Sequence, residues 1–500
     1  MQSLTSVWQQ QLQPPELPSL QGDIQTDVLV IGSGLCGLLT AWRLREKGID
    51  RVTVIDAGPL CGGTSARTTA KITAQHGMPY ARLLQDQGQE RAAQYAAANQ
   101  KAVEEYAALA ADIDCDFRRC DAVAYAVDPA HLLEVEQEVT AASRLELPAT
   151  FVTRTELPFS VAGGVRFAEQ ACMQPLRFAY GLAERLTADG VTIYPHTKAM
   201  PHETSQLSGS IQTEHGSISA DTVVLATHFP FMDKAGLYFA RLWQERSYLI
   251  ALEDVPSMQH LYWGLEEGTC SFRSYTTSEG AAGLLVGGGN HKTGHECREN
   301  HHHELQKAAK NWYPDGKPVA SWSAQDCMTH DGIPFIGRYK QLDDLLAPRV
   351  YLATGFGKWG MTGSMVAADI ISDELTGKFN PHADVFSPAR FDPAAKAKKF
   401  VVENTDMLKN YIGGFFRLPK ETVDSLHAGE GAVVSMKGEK VGVFKDSSGS
   451  LHTVHPFCTH MGCALLFNQE EQTWDCPCHG SRYDIDGHVL NNPADKHLSL

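Results

Sequence analysis

The chain has 500 residues, 43% hydrophobic and 20% charged, a balance that suits a soluble globular protein with large cores. Its formal net charge of −16 would repel nucleic acid and anionic membrane, and no basic stripe with interleaved aromatics offsets it. No apolar run approaches the roughly 18 residues a transmembrane helix needs, and residues 1–20 carry neither a basic n-region nor a twin arginine, so cytoplasmic residence is the expectation.

After a polar lead-in over residues 1–25, Thr26–Ile31 is the short β-branched run of a buried parallel strand. It enters Gly32-Ser33-Gly34-Leu35-Cys36-Gly37, followed by a helical pattern to Lys47 and a second strand, Arg51–Ile55, that ends at Asp56. This is a dinucleotide fingerprint in its required context. The glycines permit a tight turn and close approach, a helix N-terminus faces the pyrophosphate, and the acid receives ribose hydroxyls. The fingerprint alone does not separate FAD from NAD. The small-residue loop Gly62–Lys71 is suited to lie along a flavin, which makes Ser65, Arg67, Thr68 and Lys71 candidates for cofactor contact.

Helical patterns follow at Tyr80–Asp112, Pro129–Leu145 and Pro175–Asp189, then strands at Val191–Tyr194 and Asp221–Thr227, the second carrying Ala226. Ser247–Leu252, Leu261–Leu265, Cys270–Thr276 and Gly283–Gly288 read as strands between glycine and polar turns. His291, His295 and His301-His302-His303 lack metal-ligand spacing and read as a solvated loop. Further on come Asp331-Gly332-Ile333-Pro334-Phe335-Ile336-Gly337, a strand Val350–Ala353, and Thr354-Gly355-Phe356-Gly357-Lys358-Trp359-Gly360-Met361, which opens a helix to about Leu375.

These stretches, in this order, resemble the D-amino-acid-oxidase-like superfamily of FAD enzymes, which includes glycine and sarcosine oxidases, over residues 26–378. The resemblance implies an α/β FAD-binding domain, Rossmann-like and of glutathione-reductase type, built from 26–79, 160–235 and 326–378. An α+β substrate domain would take 80–159 and 236–325. It also implies that Gly332, Gly355, Gly357, Trp359, Gly360 and Met361 lie at the flavin, whose pyrimidine edge gathers negative charge on reduction and favours a helix N-terminus. The chain departs from the family in having Asp56 where Glu is more frequent, and Lys358-Trp359 in the flavin turn. Lys358 is then a candidate positive charge beside the flavin. By the same resemblance the strands after Ser247 roof the substrate pocket. Arg273 and Tyr275 share one face of their strand, where they would either hold a substrate carboxylate or face solvent.

Residues 379–417 read as a linker with a connector helix near Ala394–Ile412, and Val433–Met436, Lys440–Lys445 and Leu451–Val454 as short antiparallel strands. Then come Cys458-Thr459-His460 and, after fifteen residues, Cys476-Pro477-Cys478-His479-Gly480-Ser481. Two thiolates and two imidazoles on separate loops are the ligand set of a [2Fe–2S] cluster with mixed ligation. Zinc accepts the same donors, although zinc fingers place the cysteines on one knuckle and the histidines on a helix. The stretch resembles the Rieske family, in the variety with two extra cysteines. That resemblance implies a small all-β domain over 418–500, with Cys458, His460, Cys476 and His479 as ligands and a Cys463–Cys478 disulfide. It also implies that Ser481 and Tyr483 donate to sulfur, which raises the potential toward the upper part of the roughly −150 to +300 mV Rieske range. A Rieske domain has a strand after its proline loop, here Asn491–Ala494; either His497–Leu500 supplies it or the native chain runs further. The remaining cysteines, Cys36, Cys61, Cys115, Cys120, Cys172, Cys270, Cys297 and Cys327, lack framework spacing and read as reduced, mostly buried thiols.

A two-electron carrier joined to a one-electron carrier suggests a path from substrate C–H to FAD, to the cluster, to an external one-electron acceptor such as a protein or dye-like carrier. The expected function is dehydrogenation of an amine or N-alkyl amino acid, a small-molecule substrate. A reductase running the other way and a non-catalytic redox sensor are the alternatives. No second nucleotide fingerprint for a pyridine nucleotide is present.

Overall fold

The computed structural model describes residues 5–200, 210–234, 236–295, 300–339, 349–390 and 422–499. The expected connector helix and Cys297 lie outside them.

Strand Ile24–Ile31 is buried on both faces from Val28 onward, as expected for the centre of a parallel sheet. It pairs in parallel with Val52–Ile55 and with Gly216–Leu225, and the sheet order is Phe335–Arg338, Arg349–Thr354, Gly216–Leu225, Ile24–Ile31, Val52–Ile55, Thr192–Tyr194. Ser210–Thr213 pairs with Gly216–Leu225 off this path. Helix Leu35–Glu46 packs on helix Gly360–Leu375, whose residues from Met361 to Ala368 are all buried.

A nine-stranded sheet stands beside this layer. Its order is Lys317–Thr329, Leu242–Glu253, Ala282–Lys292, Ser271–Thr276, Leu261–Gly264, Arg118–Ala126, Gly163–Cys172 and Lys71–Ile72, with Ala149–Val152 on Gly163–Cys172. Lys71–Ile72 and Gly163–Cys172 lie within the spans expected for the FAD domain, yet they build this second sheet. Its longest ladder joins Leu242–Glu253 to Lys317–Thr329, antiparallel, with Arg246 opposite Gln325. On the first of these strands Leu242, Gln244, Arg246 and Tyr248 are buried, while Trp243, Glu245 and Ser247 are partly exposed. A run of buried polar residues at period two means that another layer covers that face.

The covering layer is the C-terminal unit. It has a three-stranded sheet, Gly431–Met436, Glu439–Lys445 and Leu451–Val454, and a four-stranded one, Leu466–Asn468, Thr473–Asp475, Arg482–Tyr483 and Val489–Asn491. Phe444, Val454, Leu465, Phe467, Trp474 and Tyr483 fill the space between them. His497–Ser499 is not a regular strand, though Leu498 N–H reaches Gly487 O and His455 N–H reaches Ser499 O.

Two expectations are corrected. The lead-in contains a helix, Val7–Gln11, capped by a Ser6–Gln9 box, and Trp8 is buried with its Nε1–H on Thr68 O at 2.8 Å. The histidine run is not a solvated loop: it begins helix His301–Trp312, and His301 and His302 are buried. Their backbone N–H groups donate to the Glu470 carboxylate at 3.0 and 2.8 Å, an acid at a helix N-terminus. The His301 ring stacks on both Tyr248 and His291, whose own rings also stack, 5.7 Å apart.

Candidate active site and metal centre

A cavity of about 1050 Å³ opens where the parallel sheet ends and the nine-stranded sheet begins. Its first wall is the fingerprint turn. A methyl group on Gly32 would sit 2.6 Å from Ala226 O, and one on Gly37 only 1.8 Å from Gly32 O, so the turn closes only with glycine. Gly34 caps the helix without a side chain, and Leu35 N–H donates to Ser65 Oγ at 3.1 Å. Asp56 accepts from Ser33 N–H (2.7 Å), Ser33 Oγ–H (2.9 Å) and Gly58 N–H (2.9 Å). Burial raises its carboxyl and these bonds oppose the rise. Gly32, Gly34, Asp56, Ser65, Arg67, Thr68, Lys71, Ala226, Gly357, Trp359, Gly360 and Met361 line the cavity. Ser33, Gly37 and Gly355 stand behind its wall. Gly332 lies elsewhere, where an added methyl would meet Arg82. A cavity with a side-chain-free helix N-terminus at one end fits a dinucleotide such as FAD.

At the other end Trp359 stacks on His76 (centroids 5.0 Å apart, 14° between planes) and meets the edge of Trp263 at 5.2 Å. His76 is fixed by Tyr95 Oη at 2.5 Å and Thr362 Oγ1 at 2.9 Å, and burial pushes its imidazole down to about 3, so it is neutral. Lys358 pairs with Glu245 at 2.5 Å, next to Asp326, whose carboxyl burial pushes up to about 6. The cation expected beside the flavin is therefore offset by carboxylate. Lys71 is buried at the cavity wall and is pushed down to about 7 by desolvation and by Arg273.

Arg273 and Tyr275 do share one strand face with Ser271, but of the three only Ser271 lines the cavity. Arg273 donates to Thr69 O and to Met173 O and lies over the Trp8 ring; Tyr275 meets Trp8 edge-on at 5.7 Å. The short N-terminal helix covers the face that was expected to hold a carboxylate.

In the C-terminal unit two matching turns present the cysteine and histidine pairs. Gly462 N–H bonds Cys458 O at 2.8 Å and Gly480 N–H bonds Cys476 O at 3.0 Å, and both glycines have left-handed φ, +76° and +78°. Cys463 and Cys478 form a disulfide that ties the turns together. Cys458 and Cys476 share a hydrogen bond, and the His460 and His479 rings stand 4.9 Å apart at 88°. The Nδ1 atoms of both histidines are buried without a hydrogen-bond partner. Two hydrogen-bonded sulfurs and two buried ring nitrogens without a partner, carried on adjacent turns, are a donor set that fits a Rieske cluster. Tyr483 Oη lies 3.3 Å from Cys458 Sγ, and Ser481 also hydrogen-bonds that sulfur.

Residues 27–374 match the family model for FAD dependent oxidoreductases (DAO), and residues 418–499 match the Rieske [2Fe-2S] domain. The chain belongs to the FAD dependent oxidoreductase family. Its cofactors are FAD and a [2Fe–2S] cluster. It is 34% identical over 497 residues to YhfW of Bacillus subtilis (strain 168), named provisionally as a Rieske 2Fe-2S iron-sulfur protein, covering 98% of this chain and 96% of that one. Glycine oxidase from Geobacillus kaustophilus shares the fold, with TM-score 0.61 and 18% identity over 74% of this chain and 99% of its own. L-proline dehydrogenase from P. horikoshii gives TM-score 0.59 and 16% identity over 75% and 98%.

In this oxidoreductase the Rieske unit seats on the oxidoreductase sheet beside the cavity. Gln244 Nε2 donates to His479 O and to Asn492 O, both at 2.9 Å, and Gln325 Nε2 donates to Gly480 O at 2.8 Å and to Gln244 Oε1 at 2.5 Å. His228 Nε2 lies 3.1 Å from Gln244 Oε1, an acceptor, so the proton sits on Nε2 and Nδ1 faces Thr64 Oγ1 at 3.3 Å. Burial pushes His228 down to about 4 and keeps it neutral. Arg246 pairs with Glu471, which Arg482 also holds at 3.0 Å, all three buried. His460 Nε2 meets Asp233 Oδ2 at 2.8 Å, and Phe239 faces His479 edge-on. Sequence reading missed Gln244, Arg246 and Gln325; the unbroken polar run Gln244-Glu245-Arg246-Ser247 ahead of an apolar stretch hides the alternating burial.

Among the described residues no helix is long and apolar enough to cross a membrane.

Proposed function

We propose that this FAD-dependent oxidoreductase dehydrogenates the C–N bond of an amine or N-alkyl amino acid and passes the electrons singly, through the Rieske cluster, to an external acceptor. FAD supplies the two-electron step and the cluster the one-electron steps. Cys458, His460, Cys476 and His479 would hold the cluster. The fingerprint turn, Asp56, and the loop from Gly357 to Met361 would hold FAD.

One observation carries this reading: the cavity and the cluster turn share a wall. Thr64 lines the cavity, and hydrogen bonds run from it through His228 and Gln244 to the carbonyl of His479. A cluster-binding turn bonded to the flavin cavity suits transfer within one molecule. At the substrate end, Trp263 and Trp359 offer aromatic faces to an alkylammonium group. Lys71, which desolvation pushes down to about 7, has a neutral fraction near physiological pH suited to take the ammonium proton so that the free amine is oxidised.

The test is anaerobic addition of a panel of secondary and tertiary amines and N-alkyl amino acids to the holoprotein, followed by flavin absorbance and the EPR signal of the reduced cluster. At least one class should bleach the flavin and then reduce the cluster. Bleaching by an external reduced donor but by no amine would mean that electrons run the other way.

A further inference from the structure

We propose that Cys120 and Cys172 form a peroxide-sensitive dithiol behind the substrate end of the cavity. Hydrogen peroxide would convert the pair to a disulfide. The inference stands apart from the choice of substrate.

The two cysteines are far apart in sequence and adjacent in the nine-stranded sheet. Strands Arg118–Ala126 and Gly163–Cys172 run antiparallel, with Arg118 opposite Cys172 and Cys120 opposite Gln170. Cys120 and Cys172 are thus diagonal neighbours, and their sulfurs are 3.9 Å apart. The ladder shifts register between Cys120 and Ala122, where a bulge lets the strand re-aim a side chain. Closure needs the sulfurs to approach to about 2.05 Å.

Guanidiniums flank one member of the pair. Arg118 Nη2 lies 3.6 Å from Cys172 Sγ. Arg273, tethered at Thr69 O and Met173 O, also hydrogen-bonds that sulfur. The hydrogen bond from Cys120 is the largest influence drawing the Cys172 thiol well below the usual range, and Arg273 and Arg118 add to it. Every other described free thiol outside the cluster site, at Cys36, Cys61, Cys115, Cys120, Cys270 and Cys327, is pushed upward. A thiolate held by cations with a second thiol in reach is the arrangement of a sulfur that oxidises and is then resolved.

The oxidant has a source next door. Both cysteines pack in one apolar cluster with Trp263 and Trp359, and those two tryptophans line the flavin cavity. FAD held in that cavity would, once reduced, supply hydrogen peroxide on meeting oxygen. The Cys172 thiolate attacks one peroxide oxygen, the O–O bond breaks, and the departing hydroxide takes a proton to become water. The Cys120 sulfur then attacks the sulfenic sulfur of Cys172, the S–S bond forms, the S–O bond breaks, and a second water leaves. Two thiols have given two electrons to one peroxide. The product holds the two strands together, removes the anionic sulfur from between Arg118 and Arg273, and is reversible by a thiol reductant.

The experiment treats the full-length holoprotein with equimolar hydrogen peroxide, blocks free thiols with N-ethylmaleimide, and maps non-reduced peptides by mass spectrometry. A cross-linked Cys120–Cys172 peptide should appear, vanish with dithiothreitol, and form several-fold more slowly in Arg118→Met. In Cys120→Ser, dimedone should label Cys172 and no cross-link should form. Recovery of both cysteines as maleimide adducts from peroxide-treated wild-type protein would overturn the proposal, and that arm needs no variant to fold. Dimedone labelling of Cys120 in Cys172→Ser, with none on Cys172 in Cys120→Ser, would overturn the assignment of roles.

Discussion

Tyr483 and Glu471 show how single side chains act in this molecule. The Tyr483 hydroxyl, 3.3 Å from Cys458 Sγ, stabilises negative charge on that sulfur, so Tyr483→Phe should lower the cluster midpoint potential, as should Ser481→Ala; EPR-monitored redox titration reads both. Glu471 is buried between Arg246 and Arg482 and is pulled down to about 2, with burial opposing the two guanidiniums and the Ser323 hydrogen bond. A carboxyl depressed in the folded state contributes stability that is complete above its unfolded value near 4.3 and is lost as pH falls from there toward about 2. Seating of the Rieske unit should therefore weaken across that acid window, followed by thermal unfolding against pH. Glu471→Gln leaves buried charge uncompensated and should cost about 3–5 kcal/mol in denaturant unfolding at neutral pH. Lys71 acts in the opposite sense. If its neutral amine accepts the substrate proton, kcat/KM rises as pH increases through about 7, and Lys71→Met should abolish that limb of the profile while Lys71→Arg should not restore it.

At the scale of elements, what the sequence made legible follows from how local each signal was. The first strand, turn and helix were readable because three glycines at fixed offsets answer a purely local steric demand, and Gly37 meets Gly32 O at 1.8 Å once a methyl is added. Gly37→Ala should yield protein that releases no flavin on denaturation. Both cluster turns were readable for the same reason. The strands Arg118–Ala126, Gly163–Cys172 and Lys317–Thr329 were not, because their buried polar residues find partners far along the chain and break the apolar alternation. Arg273 and Tyr275 show the limit of strand periodicity: it placed them on one face correctly, but which layer covers that face depends on Trp8, more than 260 residues away. The Ser6–Gln9 capping box was a sequence signal for that helix. Glu470 of another unit, which binds the His301 and His302 N–H groups, was not legible in the sequence, although the local N-cap Asn300, accepting from His303 N–H at 2.9 Å, was.

The whole molecule is a cavity fit for FAD closed on one side by the Rieske unit, with Gln244 and Gln325 as the buried joint between them. Replacing either carboxamide by Leu leaves backbone carbonyls of the cluster turn unbonded, so electron transfer from flavin to cluster should slow while each cofactor keeps its own spectrum. The order of events tests the account most directly. In an anaerobic single turnover with a substrate amine, sampled by stopped-flow absorbance and freeze-quench EPR, the flavin should bleach first. The reduced-cluster signal should then grow as the flavin reoxidises by one electron, and both steps should persist when the protein is diluted. A cluster signal that precedes flavin bleaching, or that depends on protein concentration, would contradict transfer from flavin to cluster within one chain.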